Sequence, residues 1–464
     1  MLPVLSSMRI LGPILAAAAS LSALGAAEPA SYYDEVRPLL QVHCSGCHQP
    51  ANKLSGLDIT TYEGILKGGS KHGSSLAKGS PDSSPLVSLV TGKLEPRMPM
   101  GGAQLAPEAV DLLTRWVREG AEDDTPAEAK APQAPTESPE YAQAPTITGM
   151  AFSPDGSMLA VGGFKEILLH KIDGSGIEAR LLGRSDKIHS IHFSSDGKRL
   201  VAIGGTPARF GELQVWDLES RELVRSVTST ADTLFAGDLS PDGKHAVFGA
   251  ADKNVRMVAV ETGEEVYKAG HHEDWVLQVV FGIDGKRIVS VGRDRAAKLA
   301  DAATGAFQEN VNFLRDKLYA VARHPRRDYV LVGGEDRVPY LYTMDRPRAL
   351  KIADDSTLVR KYEEQDGKIF ALAFSPDGSL AAVGGVSGEV PVYDTETGQR
   401  VSSCAGHDGG IFVIAFHPDG KRLATGGFDG VVRIFEAGSG EEVRSFVPVP
   451  LQQAESTSDS QNAG

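Results

Sequence analysis

The chain has 464 residues, of which 41% are hydrophobic and 23% charged, and its 47 basic and 61 acidic side chains leave a net charge of −14. That length argues for two or three domains, and the composition excludes a polytopic membrane protein and a wholly disordered chain. The acidity excludes the clustered Lys and Arg that nucleic-acid binding needs, and three cysteines are too few for a disulfide framework.

Residues 1–27 carry one basic side chain, Arg9, then an apolar run from Ile10 to about Ala19 and a small-residue exit, Gly25-Ala26-Ala27. This is the layout of a cleaved secretory signal peptide, and the apolar core is well short of the roughly 20 residues a spanning helix needs. No later window is long and apolar enough to cross a bilayer, so no transmembrane segment is expected after cleavage. A periplasmic or extracellular location follows.

Residues 28–122 read as a compact haem domain. A first helix is expected from near Tyr33 or Val36, with Leu39 and Leu40 facing inward, and it runs into Cys44-Ser45-Gly46-Cys47-His48. Two thiols one turn apart can add to the two vinyl groups of one porphyrin, and the adjacent His48 then lies under the iron. One covalently attached haem c is therefore expected, held by Cys44 and Cys47 with His48 as proximal ligand. A redox dithiol would want a thioredoxin-like context, and zinc would want four paired ligands. The mature segment holds just two methionines, Met98 and Met100, in a Pro- and Gly-punctuated loop, EPRMPMGG. By elimination a thioether supplies the distal ligand; Met98 is the choice and Met100 the alternative. His72, in GGSKHGSS, reads as an exposed loop residue. A last helix is expected from Pro107, with Ala109, Leu112, Leu113, Trp116 and Val117 on one apolar stripe and Gly120 as the stop. Trp116 on that stripe reads as core.

Residues 123–145 are rich in Pro, Ala and acid and read as an extended linker. From 146 to 447 a turn closing on Asp-Gly repeats: FSPDG at 152–156, FSSDG at 193–197, LSPDG at 239–243, FGIDG at 281–285, FSPDG at 374–378 and FHPDG at 416–420. ARHPRRD at 322–328 holds the missing place without the glycine. An alternating run precedes each turn and a small-residue strand follows, as in LAVGG at 159–163 and LATGG at 423–427. Four short strands in each of seven repeats predict a seven-bladed β-propeller. Residues 448–464 are polar and read as a disordered tail. The expected fold class is therefore multidomain: a small all-α cytochrome c-like domain, then an all-β seven-bladed propeller. The propeller histidines and Cys404 offer no catalytic set, so the chain is not expected to be an enzyme.

Two resemblances add to this. Gly270-His271 and Gly406-His407 match the Gly-His step of WD-repeat propellers, and Trp216-Asp217 their terminal dipeptide. In that family such histidines join hydrogen-bond networks between strands. VRPLL at 36–40, CSGCH, SGLDI at 55–59, KGG at 67–69, GSPDSSPLVSLV at 79–90, RMPMGG and LLTRWVREGA at 112–121 resemble, in that order, the planctomycete-type cytochrome C domain. The resemblance implies one haem c with His48 proximal and a methionine matching Met98 distal; many members read Met-Pro-Pro where this chain has Met98-Pro99-Met100. The expected function is that of an exported c-type cytochrome passing single electrons to a redox partner protein, which docks at the haem edge or on the propeller. The alternative is a haem-containing sensor or scaffold whose propeller binds a protein or extracellular ligand.

Overall fold

The computed structural model describes residues 29–49, 52–100, 103–125, 134–312, 315–344 and 354–452. The expected signal peptide, the middle of the linker and most of the tail lie outside the described residues. The chain divides into two compact units, Met1–Pro126 and Ala127–Gly464.

In the first unit a π-type turn, Tyr32–Val36, leads into helix α1, Arg37–His43. Strands β1 (His48–Gln49) and β2 (Asn52–Lys53) pair antiparallel. Three further helices follow: α2 (Tyr62–Lys67), α3 (Pro85–Thr91) and α4 (Pro107–Arg118). Local chemistry sets their ends. Thr61 caps α2 by accepting from the Gly64 N–H at 3.0 Å, which satisfies one of the donors a helix start leaves open. Pro107 occupies the first turn of α4, where its missing N–H costs nothing. Gly92 ends α3 at φ 77°. The core gathers Val36, Leu40, Ile65, Leu113, Trp116 and Val117. Trp116 stacks on Tyr32 with ring centroids 5.4 Å apart, meets Tyr62 edge-on, and donates its indole N–H to the Glu122 carbonyl at 3.0 Å.

The second unit is built from antiparallel sheets of consecutive strands, from Met150–Phe152 to Glu442–Phe446. The first strand of each repeat touches the first strand of the next, and Ile411–Phe416 touches Met150–Phe152. These innermost strands therefore ring a common axis, as in a β-propeller. The turns explain the repeat. Ser153 Oγ donates to Asp155 at 2.6 Å and accepts from the Met158 N–H at 3.0 Å, and Gly156 turns at φ 72°. Ser194, Ser240 and Ser375 do the same with their own aspartates. At 324–328 the His324 ring takes over, accepting from the Arg326 and Arg327 N–H groups at 3.0 and 2.9 Å. Its Nε2 donates to the Gly378 carbonyl in the following sheet at 3.1 Å, as His417 Nε2 does to Gly156 at 3.0 Å between the last sheet and the first. Glycine is required at both acceptors, because a Cβ there would lie within 2.4 Å of the imidazole.

The expected fold class is corrected on both counts. The first unit is not an all-α domain. The helix conformation stops at Cys44 (φ −126°), and the chain then reverses so that β1 and β2 can pair, leaving only short helices around the hairpin. Nor do the strands fall into seven separate blades: the described residues form five four-stranded sheets and one eight-stranded sheet. In the latter the strands Leu234–Leu239 and Val276–Phe281 approach closely enough for Ala236 and Gln278 to pair in parallel. That single bridge fuses two neighbouring repeats.

Candidate cofactor turn and propeller networks

Helix α1 is anchored by the buried Leu40, whose carbonyl accepts from the N–H groups of both Cys44 (2.9 Å) and Ser45 (3.2 Å). The chain then coils about the Cys44 carbonyl, which accepts from Cys47 N–H at 3.2 Å and His48 N–H at 3.1 Å. Cys44, Cys47 and His48 are thus set on one tight turn. The return path is pinned by Leu54 N–H to the Cys47 carbonyl (3.1 Å) and Ile59 N–H to the His48 carbonyl (2.9 Å).

The two thiols differ in environment. Cys44 packs against the core cluster while Cys47 is exposed. Burial, with a smaller contribution from Cys47, pushes the Cys44 thiol up to about 11. It therefore stays protonated at neutral pH, unlike the activated thiolate of a redox dithiol. His48 Nδ1 lies 3.1 Å from the Leu54 carbonyl. Donating there fixes the tautomer and leaves Nε2 as the nitrogen with a free lone pair, the arrangement a metal-ligating imidazole needs. Nothing in composition pointed to Leu54, because its role is carried by a backbone oxygen.

Met98 follows α3, its N–H bonded to the Leu89 carbonyl at 3.0 Å, and its side chain packs on the margin of the same core cluster as Cys44. Met100 is 67% exposed and His72 lies exposed in the 69–73 turn. Leu39, Leu57 and Leu66 share that half-buried margin, and Val42 and Leu54 stand exposed beside the turn. This apolar fringe, the proximal histidine geometry and the paired thiols fit a covalently attached porphyrin. Among the described residues no cluster of three or more His, Cys, Asp or Glu side chains forms a metal-holding group.

In the propeller the networks run through His272 and His407. His407 Nδ1 faces Asp429 at 2.9 Å and Nε2 faces Thr425 Oγ1 at 2.6 Å; His272 faces Asp294 at 3.0 Å and Ser290 Oγ at 2.7 Å. Burial alone would raise the Asp294 carboxyl, but His272 and the Glu273 N–H hold it down at about 2. His271 stays outside this network, with its Nε2 buried and unpaired. The sequence carries a signal for the shift. Both working histidines precede their aspartate by 22 residues and their hydroxyl partner by 18. Trp216 donates to Gln214 at 3.1 Å, within a cluster around the fully buried Glu212, which also takes Arg184 and Ser185 at 2.6 Å each. Cys404 is buried, which pushes its thiol up to about 12.

Tyr141 and Val449, assigned by composition to the linker and the tail, are buried together against Leu168. Tyr141 pairs in parallel with Leu451, and its hydroxyl donates to Glu166 at 2.6 Å.

Comparison with known proteins gives the same two themes. The WD domain, G-beta repeat family matches residues 140–165, 263–301 and 398–436, and the anaphase-promoting complex subunit 4 WD40 domain matches residues 342–414. Planctomycete cytochrome C gives a weaker match over residues 44–100, from Cys44 to Met100. Among curated proteins the chain is similar to autophagy-related protein 16 of Arabidopsis thaliana, 24% identical over 47% of this chain and 43% of that protein. It is also similar to an uncharacterized WD repeat-containing protein of Schizosaccharomyces pombe, 23% identical over 42% of this chain and 37% of that one. The chain spans less than half the length of these relatives. The second unit is a β-propeller in which several repeats match WD-repeat models.

Proposed function

We infer that the chain is an exported haem-bearing scaffold: the propeller docks a partner protein, and the first unit carries one haem c. The WD-type propeller, with its His–Asp–Ser/Thr networks intact at His272 and His407, is the observation that carries the platform role. The cofactor reading rests on the turn at 44–48. Cys44 and Cys47 would form the thioether links, and His48 would present Nε2 to the iron while Leu54 holds Nδ1. When bound, the group supplies an iron that changes oxidation state by one electron. The margin residues Leu39, Leu57 and Leu66 would exclude water from it.

A second reading, electron transfer to the docked partner, is favoured by Met98. Its packing on the core margin shared with Cys44 supports it as distal ligand, whereas the exposed Met100 lacks that support.

Cross-linking of the full-length exported protein in its own cells, read by mass spectrometry, separates these readings. Cross-links from the propeller to a partner that persist in the Cys44→Ser/Cys47→Ser variant establish the scaffold. Cross-links lost in that variant make the haem unit the docking element and overturn the platform-first reading. Oxidation or reduction of the partner by wild type and not by that variant establishes electron transfer.

A further inference from the structure

We propose that residues 448–452 are a latch: a strap that leaves the last sheet of the propeller, docks across the seam on the first sheet, and undocks on its own, loosening the ring at that junction alone. One junction differs from the rest. Elsewhere the chain itself runs from the outermost strand of one repeat to the innermost strand of the next. Between the last sheet and the first it does not. The four strands of the first sheet lie within 150–182 and the four of the last within 411–446, so among the described residues no strand is shared across this seam. Non-covalent contacts hold it closed, and the segments that enter and leave the propeller both cross it.

The entering segment is a fixed stitch. The Tyr141 hydroxyl donates to the buried Glu166 at 2.6 Å and accepts from the Phe164 N–H at 3.0 Å, both in the first sheet's second hairpin. The chain then crosses to the last sheet, where the Ile147 N–H bonds the Gly427 carbonyl at 3.0 Å, and returns as the strand Met150–Phe152. Ile147 is fully buried in a core shared by Leu159 and Val161 of the first sheet with Ala424 and Ile434 of the last. Gly430, at φ 68°, lies so close that a Cβ there would stand 2.6 Å from that of Ala144. The leaving segment is held far more lightly. After the strand Glu442–Phe446 it passes His170 of the first sheet, whose ring faces the Pro448 carbonyl and lies 5.0 Å from that of Phe446. Val449 then completes a small cluster with Tyr141 and Leu168. The Gln452 N–H closes onto the Tyr141 carbonyl at 2.9 Å and its side-chain amide onto Glu140 at 2.7 Å. Leu451 between them is 45% exposed. The strap thus hangs on one buried aliphatic side chain and a few hydrogen bonds at the surface, whereas the stitch is locked into a core. Segments with few buried apolar contacts and exposed backbone hydrogen bonds open locally, without the rest of the fold. Undocking uncovers Tyr141 and leaves Ile147 in place as the hinge.

The test is amide hydrogen exchange, read by mass spectrometry, on the full-length protein and three variants: a chain ending at Gln452, a chain ending at Val447, and Val449→Asp. Peptides over 139–149 and 162–170 report the seam, and peptides over 245–250 and 287–292 report sheets remote from it. In the full-length protein the 448–452 amides should exchange at least tenfold faster than those of 245–250. The chain ending at Gln452 should match the full-length protein. The chain ending at Val447 and Val449→Asp should speed exchange at the seam at least tenfold and leave the remote peptides unchanged. Labelling with N-ethylmaleimide locates the opening, because Cys404 packs between its own sheet and the last one and stays unlabelled when only this seam loosens. Strap amides as slow as those of 245–250, or seam exchange indifferent to loss of the strap, would overturn the proposal. So would acceleration in all peptides alike, labelling of Cys404, or a chain ending at Gln452 that behaves like the one ending at Val447. If the chain ending at Val447 does not fold, Val449→Asp decides by the same readings.

Discussion

Replacing Arg180 with Met should destabilise the propeller far more than the loss of one ion pair suggests. The Glu166 side chain is wholly buried and that of Arg180 is 21% exposed. Arg180 grips both carboxylate oxygens at 2.6 and 2.7 Å and reaches the Pro139 carbonyl at 2.8 Å, while Tyr141 donates to the same carboxylate at 2.6 Å. Burial, then the hydrogen bond to Glu166, pushes the Tyr141 hydroxyl well above its usual range, so it remains a donor throughout. Removing the guanidinium leaves a buried charge with one hydrogen-bonded partner, a loss of about 3–5 kcal/mol. Unfolding entropy of about 2.1 cal/mol/K per residue over roughly 300 residues converts this to about 5–8 °C in the calorimetric midpoint. Glu166→Leu/Arg180→Leu, which removes both charges, should recover most of the loss. Arg327→Met, which breaks the exposed pair with Glu396, should not shift the midpoint measurably. A drop below about 2 °C in Arg180→Met, or a double variant worse than the single, refutes the reading of a paired, desolvated carboxylate that fixes Tyr141 to the first sheet.

Three further outcomes are expected. His272→Ala should cost about 2–3 kcal/mol in urea unfolding because it takes from Asp294 its buried imidazole partner, whereas His271→Ala should cost well under half as much. Burial pushes His170 down to about 4 from 6.5. The unfolded chain therefore binds a proton near pH 6.5 that the folded chain refuses until about pH 4. Its contribution is complete above pH 6.5 and falls as pH drops toward 4, by roughly 1.4 kcal/mol per unit. Urea midpoints measured from pH 7 to 4.5 should decline less steeply in His170→Leu. In absorption spectra of exported protein, Cys44→Ser/Cys47→Ser should abolish covalent haem. Met98→Ala should remove a methionine–ferric charge-transfer band that Met100→Ala leaves in place; the reverse pattern would transfer the ligand to Met100.

The turn chemistry was legible because it is local. Pro-Asp-Gly and Ser-x-Asp-Gly satisfy their own backbone within five residues, so the periodic propeller strands are written into the chain without reference to distant partners. The same holds for the single turn at 44–48 and for Pro107 at the start of α4. The apolar stripe of α4 could be read from its period, but Tyr32 and Tyr62, the ring partners of its Trp116, could not.

What tertiary structure decided involves pairing across sequence distance. The register of the Gly-His-His step at 270–272 is set by which imidazole can meet Asp294 and Ser290 at once, and that favours His272 over the position the motif suggests. The joining of two repeats into one sheet depends on the approach of Ala236 to Gln278, which no local propensity encodes. Tyr141 reads as linker by composition, yet the buried Glu166 and the strand partner Leu451, 310 residues away, determine its place. In the first unit CSGCH specifies the turn, but only the folded chain brings the Leu54 carbonyl to His48 Nδ1 and Met98 to the margin that Cys44 shares. Residue types and short spacings state which chemistry is available. Which atoms meet is fixed by packing and by the need to pair every buried polar group.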